Sequence, residues 1–186
     1  AVDMTDNTTE SSEPTEISAS EVQSKYNTYF NSSNQKNHVT VHDPSVVIGY
    51  TDTKYTGNKN VKIYGVQNTA KTRKKVYFIF GSHRAFAWST DMQNWNYFQN
   101  NINNDTTCQA LFKDAFNWAK QGDASYQWDG NLWAPDVIWN PDYVNSDGSK
   151  GAWCMYMSIN GNSWNSSIVL LTSDDLDGDW TKRGTV

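Results

Sequence analysis

Residues 75–98 read KVYFIFGSHRAFAWSTDMQNWNYF, a run of β-branched and aromatic residues interrupted only by short polar turns. Such segments fit a pleated, half-buried surface. The run divides into a strand at Lys75–Gly81, a second at Ala85–Asp91 and a third around Trp95–Phe98. Upstream, directly after Asp43-Pro44, the apolar stretch Ser45–Tyr50 supplies a strand before them. The same four-part phrase returns downstream as APDVIW at 134–139, AWCMYMS at 152–158, SIVLLTSD at 167–174 and WTKR at 180–183. Ser89-Thr90-Asp91…Trp95 aligns by letter with Thr172-Ser173-Asp174…Trp180, a polar turn before a Trp-led fourth strand. Four short antiparallel strands, repeated, are the signature of propeller blades, and two blades cannot close a ring that takes ~4–8.

Outside the repeats the chain is different in kind. Residues 1–25 are rich in Ser, Thr and Glu with almost nothing to bury, so residues 1–37 read as a disordered lead or linker and 38–186 as the folded part. Between the repeats, Cys108–Lys120 has apolar residues at 111, 112, 115, 116 and 119, a spacing that predicts a short amphipathic helix with Trp118 as a packing residue.

Composition narrows the function. The formal charge of -5 argues against nucleic-acid or anionic-membrane partners. No apolar run approaches the roughly 18 residues of a membrane span. With 9 Trp, 10 Tyr and 7 Phe in 186 residues, the chain is rich in rings that pack in sheets and stack on sugars. Mild acidity and the linker-like lead favour a secreted, extracellular protein. Cys108 and Cys154 leave two readings open, a single disulfide or two buried thiols.

Two acidic residues stand apart from the solvated ones. Asp43, in VTVHDPS, and Asp136, in NLWAPDVIW, lie at the start of the first strand of each repeat. First strands of blades line a central channel, which would bring both carboxylates to one axial pocket. The plain alternative is that Asp-Pro and Pro-Asp are turn and cap pairs. Paired carboxylates among aromatic rings are what glycoside hydrolysis requires, one protonating the leaving oxygen and the other activating water or attacking the sugar. Around them His83, in the Gly-Ser-His turn, and Trp133 are candidates for substrate contact, with Trp88 and Trp164 weaker ones. The basic run Lys71–Lys75 reads as a solvated hairpin.

The motifs His42-Asp43-Pro44-Ser45, Phe80-Gly81-Ser82-His83, Ser89-Thr90-Asp91-Met92-Gln93-Asn94-Trp95 and Trp133-Ala134-Pro135-Asp136-Val137 resemble glycoside hydrolase family 43. Trp153–Ser158 followed by Asn165–Ser173 is most similar to its extracellular endo-α-1,5-L-arabinanases, and the resemblance covers roughly 38–186. It implies an all-β, five-bladed β-propeller of which this chain supplies about the first two blades, and hydrolysis with inversion. It implies Asp43 as general base and Asp136 as an auxiliary carboxylate that tunes the acid. The family's general acid, a Glu on a later blade, has no match here, because Glu10, Glu13, Glu16 and Glu21 all lie in the lead. A calcium ion near the pocket is implied too, with its ligand outside this chain. A second polypeptide completing the propeller and a polysaccharide substrate, arabinan, are the expected partners. An exo-acting arabinofuranosidase or β-xylosidase and a catalytically silent sugar-binding fragment are the competing readings.

Overall fold

The computed structural model describes residues 18–30, 37–113, 128–161 and 166–186. The chain forms two units, Ala1–Gln35 and Lys36–Val186. In the first, the described residues are a helix, α1 (Ala19–Phe30), inside the segment that composition reads as a disordered lead. Local capping accounts for it. The Ser18 N–H donates to Glu21 Oε2 at 3.0 Å while the Glu21 N–H donates back to Ser18 Oγ at 3.3 Å, a reciprocal capping box. A composition average does not register a motif of this kind.

The second unit is built on two four-stranded antiparallel sheets, each a simple meander. Sheet one contains β1 (His42–Thr51), β2 (Lys74–Ser82), β3 (Phe86–Ser89) and β4 (Asn96–Tyr97). Sheet two contains β5 (Trp128–Val144), β6 (Lys150–Gly161), β7 (Ser166–Ser173) and β8 (Thr181–Thr185). The repeated four-strand phrase is therefore present. Period-two alternation explains the buried faces: Val76, Phe78 and Phe80 of β2 and Trp153, Met155, Met157 and Ile159 of β6 all enter one apolar core. Phe80 makes edge contacts with Phe86 at 5.0 Å and with Trp180 at 5.9 Å, so the core runs from one sheet into the other. The connection before α2 (Asp105–Phe112) clasps the β7–β8 turn through Asn101, which accepts from the Trp180 N–H and donates to its carbonyl, both at 2.8 Å.

Pairing register fixes which positions of the two sheets correspond. In sheet one His42 lies opposite Ser82 and Ser45 opposite Phe80; in sheet two Trp133 lies opposite Ser158 and Asp136 opposite Tyr156. Each first strand therefore carries one extra residue, a bulge, at the same place. The counterparts are Asp43 with Ala134, Pro44 with Pro135, and Ser45 with Asp136. Backbone angles agree, since Asp43 has φ 45° and Ala134 φ 44°. The two carboxylates share one bulge but stand two positions apart, which corrects the expectation of matched blade positions. Aligning Asp with Asp paired the wrong letters; the prolines are the true markers. The turn motif slips too. Tyr77 pairs Ser89 and Trp153 pairs Ser173, so Ser89 corresponds to Ser173 and not to Thr172. Both serines accept a backbone N–H from two residues on, at Asp91 and Asp175.

The inter-sheet helix starts earlier than predicted. Asn104 caps α2 by accepting from the Thr107 N–H at 3.2 Å, and Cys108 and Phe112, one turn apart, are its buried face. The predicted continuation to Lys120, with Trp118, lies outside the described residues. Cys108 and Cys154 are both buried and both free thiols. On the outer face of sheet two, Ile138, Tyr156 and Ile168 are 56%, 37% and 53% exposed. No helix among the described residues is long and apolar enough to cross a membrane.

Candidate active site

The bulge sets the geometry of the carboxylates. A positive φ is uncommon for any residue but glycine, with Asp among the better tolerated, and it turns the Asp43 side chain out of the alternation of β1. Asp43 Oδ2 then accepts from Ser82 Oγ, at the end of β2, at 2.7 Å. The same Ser82 oxygen accepts from the Ala134 N–H of β5, also at 2.7 Å. A second serine repeats the arrangement: Ser45 Oγ donates to Asp136 Oδ1 at 3.0 Å and accepts from the Val137 N–H at 3.1 Å. Both serines belong to sheet one, and both amides belong to sheet two. Each hydroxyl accepts one amide across the junction and donates its proton to a carboxylate.

Rings stand beside these carboxylates. The turn after β2 holds His83 at φ 59°, and its N–H donates to the Leu132 carbonyl at 2.8 Å. From there the His83 ring makes edge contacts with His42 at 6.3 Å and with Trp133 at 6.4 Å between centroids. Asp43 and Asp136 are both open to solvent, whereas Ser82 is only 2% exposed. The result is an exposed acidic patch on a rigid buried support. It offers two hydrogen-bonded carboxylates, two imidazoles and an indole, a set suited to proton transfer and to holding a neutral polar ring. A concave pocket of about 240 Å³ lies elsewhere, lined by Lys59, Gln99, Asn101, Asn104 and Asp179, and contains none of these residues.

No family model matches the chain. The curated comparison decides the likeness: 151 residues are 26% identical to the extracellular endo-α-(1→5)-L-arabinanase 2 of Bacillus subtilis, over 78% of this chain. The chain is similar in sequence to an arabinanase. It spans only 24% of that relative's length. Among solved structures, a glycoside hydrolase family 43 protein of Bacillus licheniformis is 28% identical, covering 81% of this chain and 26% of that one, with a TM-score of 0.46. The endo-1,5-α-L-arabinanase of Thermotoga petrophila is 22% identical, covering 80% and 25%, with a TM-score of 0.47.

Of the residues predicted from sequence, Asp43, Asp136, His83 and Trp133 come together at this patch. Trp88 does not. It is half-buried and packs against the core, its ring 4.8 Å from that of Tyr55 and beside Gly57. Trp164 lies outside the described residues. Three participants were not singled out: His42, Ser45 and Ser82. All sit inside the quoted motifs, and the Gly-Ser-His and Asp-Pro-Ser triplets were the available signal.

Other acidic groups have structural roles. Burial acts to raise the Asp91 carboxyl, but bonds from the Asn94 N–H and side chain, the Gln93 N–H and the Ser89 hydroxyl outweigh it and hold the pKa at about 2. Asp177, 1% exposed, has its carboxyl pushed up by burial, against a hydrogen bond from the Tyr55 hydroxyl that pulls it down. Arg73 of the basic run bonds Asp52 at 3.1 Å and lies over the Tyr64 ring. Among the described residues no group of three or more His, Cys, Asp or Glu side chains is placed to hold a metal ion.

Proposed function

We propose that this chain is part of a secreted glycoside hydrolase that cleaves α-1,5-linked L-arabinan with inversion. The observation that carries the reading is the pair of serine-held carboxylates, one from each sheet, beside His83 and Trp133. Asp43 is the general base that removes a proton from water, and Asp136 is the auxiliary carboxylate whose charge tunes the acid and orients the sugar. The general acid is a Glu supplied from outside this chain, and any calcium ion is held there as well.

Two observations favour a larger assembly. The chain spans 24% of its curated relative, and the exposed Ile138, Tyr156 and Ile168 offer sheet two a face for stacking a further sheet. Five blades, with the two described sheets first and the rest on further sequence or a second polypeptide, complete the reading.

The test is Asp43→Ala in the assembled enzyme, assayed on linear arabinan. Loss of a positioned general base lowers kcat by ~10²–10⁴-fold while the fold persists. Near-wild-type turnover would remove Asp43 from the mechanism. Asp136→Asn lowers the rate and shifts the acidic limb of the pH profile; an unchanged profile speaks against its tuning role. Mixed oligosaccharide products fit endo action, and monosaccharide alone fits an exo-acting relative.

A further inference from the structure

We infer that Ser45 and Ser82 are positioning residues that make the aim of both carboxylates depend on the contact between the two sheets. The inference rests on the proposed roles of Asp43 and Asp136. It concerns two residues that act through these carboxylates.

Ser82 lies in β2 and its carboxylate partner Asp43 in β1, so both belong to sheet one. A serine hydroxyl rotates freely, so its proton follows the donors and acceptors placed around the oxygen, here the Asp43 carboxylate on one side and an amide from sheet two on the other. The Ala134 N–H, arriving from sheet two at 2.7 Å, occupies the lone-pair side of that oxygen and directs its proton toward Asp43. The orientation of a sheet-one carboxylate is thereby set by the docking of sheet two. Ser45 works in the opposite direction. It reaches from sheet one to Asp136 of sheet two, and the Val137 N–H fixes its rotor. Ala134 and Val137 flank Pro135-Asp136, so one short segment of β5 orients both serines. Pro135, with no N–H of its own, leaves these two amides as the flanking donors.

The construction matches its task. Ser82 is 2% exposed, while the carboxylate it holds is open to solvent. A hydroxyl donating to an ionised carboxylate is a strong, directional bond, and small errors in the placement of a base are costly to the reaction. The functional demand falls on the hydroxyl and not on the side-chain volume.

The experiment compares Ser82→Ala, Ser45→Ala, Ser82→Thr and Ser45→Thr with Asp43→Ala, in the full native polypeptide together with any chain that completes it. Steady-state kinetics on linear arabinan and thermal melting are read for each. Each alanine variant is expected to lower kcat by about 10–100-fold with KM within about twofold, from the loss of one hydrogen bond to a charged group. The threonine variants, which keep the hydroxyl, recover most of kcat. Ser45 is the less crowded position, so Ser45→Thr keeps the test valid if Ser82→Thr does not fold. Unchanged kcat in both alanine variants overturns the inference. So does a rise in KM alone, which would make the serines substrate contacts. So does a kcat loss that follows melting temperature and is not recovered by a stable threonine variant. If Asp43→Ala itself stays active, the proposed function fails first, and that result is separate from any outcome at the serines.

Discussion

Gly81 sits where the start of β1 presses onto the end of β2, one residue before Ser82. A methyl group there would lie 2.0 Å from Val41 Cγ1 and 2.8 Å from the His42 carbonyl oxygen. Real contacts of a Cβ do not approach so closely, and only the first of the two neighbours is a side chain that can yield. Its backbone angle lies outside the glycine-favoured region, so Gly81→Ala tests steric fit alone. Overpacking of this kind costs about 1–3 kcal/mol, and collision with backbone as well as side chain places Gly81→Ala at about 2–3 kcal/mol. At about 2–4 °C per kcal/mol for a chain of this size, the melting temperature should fall by roughly 4–12 °C. Calorimetry on Gly81→Ala, Val41→Ala and the double variant separates the two collisions. Removing the Val41 methyls relieves the shorter contact only, so the double variant should recover about 1 kcal/mol as a coupling energy and no more. Gly148→Ala is the control: with φ +83° and nothing within 4 Å of an added methyl, it carries only a backbone penalty of about 1–2 kcal/mol. A melting temperature for Gly81→Ala within about 1 °C of the parent, or full recovery in the double variant, would refute the close approach. The same displacement moves His42 and Asp43 off Ser82. The loss of turnover should therefore exceed what the lower stability alone explains.

Two further outcomes follow from groups away from the carboxylates and from the strained bulge. Tyr55→Phe strips the buried Asp177 of its side-chain donor and should cost about 1.5–3 kcal/mol near neutral pH. Because burial raises the Asp177 carboxyl above its ordinary 3.8, the folded state binds its proton more tightly than the unfolded chain does. Stability from this group is complete below the unfolded value and is lost as pH rises through the folded one. Removing the Tyr55 bond, which lowers that value, should carry the decline to higher pH and make the total loss larger; parallel curves of urea midpoint against pH for the two proteins would contradict this. Ala134→Gly keeps the N–H that Ser82 accepts and relieves a positive φ, so the melting temperature should rise by an amount equivalent to about 0.5–1 kcal/mol. A fall would mean the bulge is not strained at that residue.

The strands were legible because burial imposes a period of two that survives in the letters VYFIFG and WCMYMS. Correspondence between the repeats was less so. Letter matching aligned Asp with Asp, whereas hydrogen-bond register aligns Asp43 with Ala134 and Asp136 with Ser45. Both first strands carry the bulge at the same place, so the two carboxylates sit two positions apart in one shared frame, which only the prolines and the pairing pattern reveal. The candidate site was half legible. Charged and aromatic residues drew attention by chemistry, while Ser45 and Ser82 are common residues whose importance lies in what crosses the sheet junction. Trp88 shows the reverse case, since an indole suits a sugar platform and a core equally and only Tyr55 across from it decides. The helix α1 was missed because its cap is a reciprocal pair of side chain-to-backbone bonds between Ser18 and Glu21, which average polarity conceals.

The two free thiols give the molecule a reporter of its own. Cys108 faces the core from α2 and Cys154 lies within β6, each about 1% exposed, and burial pushes both thiols above their ordinary range. A thiol reagent in neutral buffer then meets almost no thiolate unless the surrounding structure opens. The labelling rate of each sulfur measures how often its own neighbourhood comes apart: the helix connection for Cys108, the second sheet for Cys154. The chain can thus record, without any engineered probe, whether its two halves loosen together or one at a time.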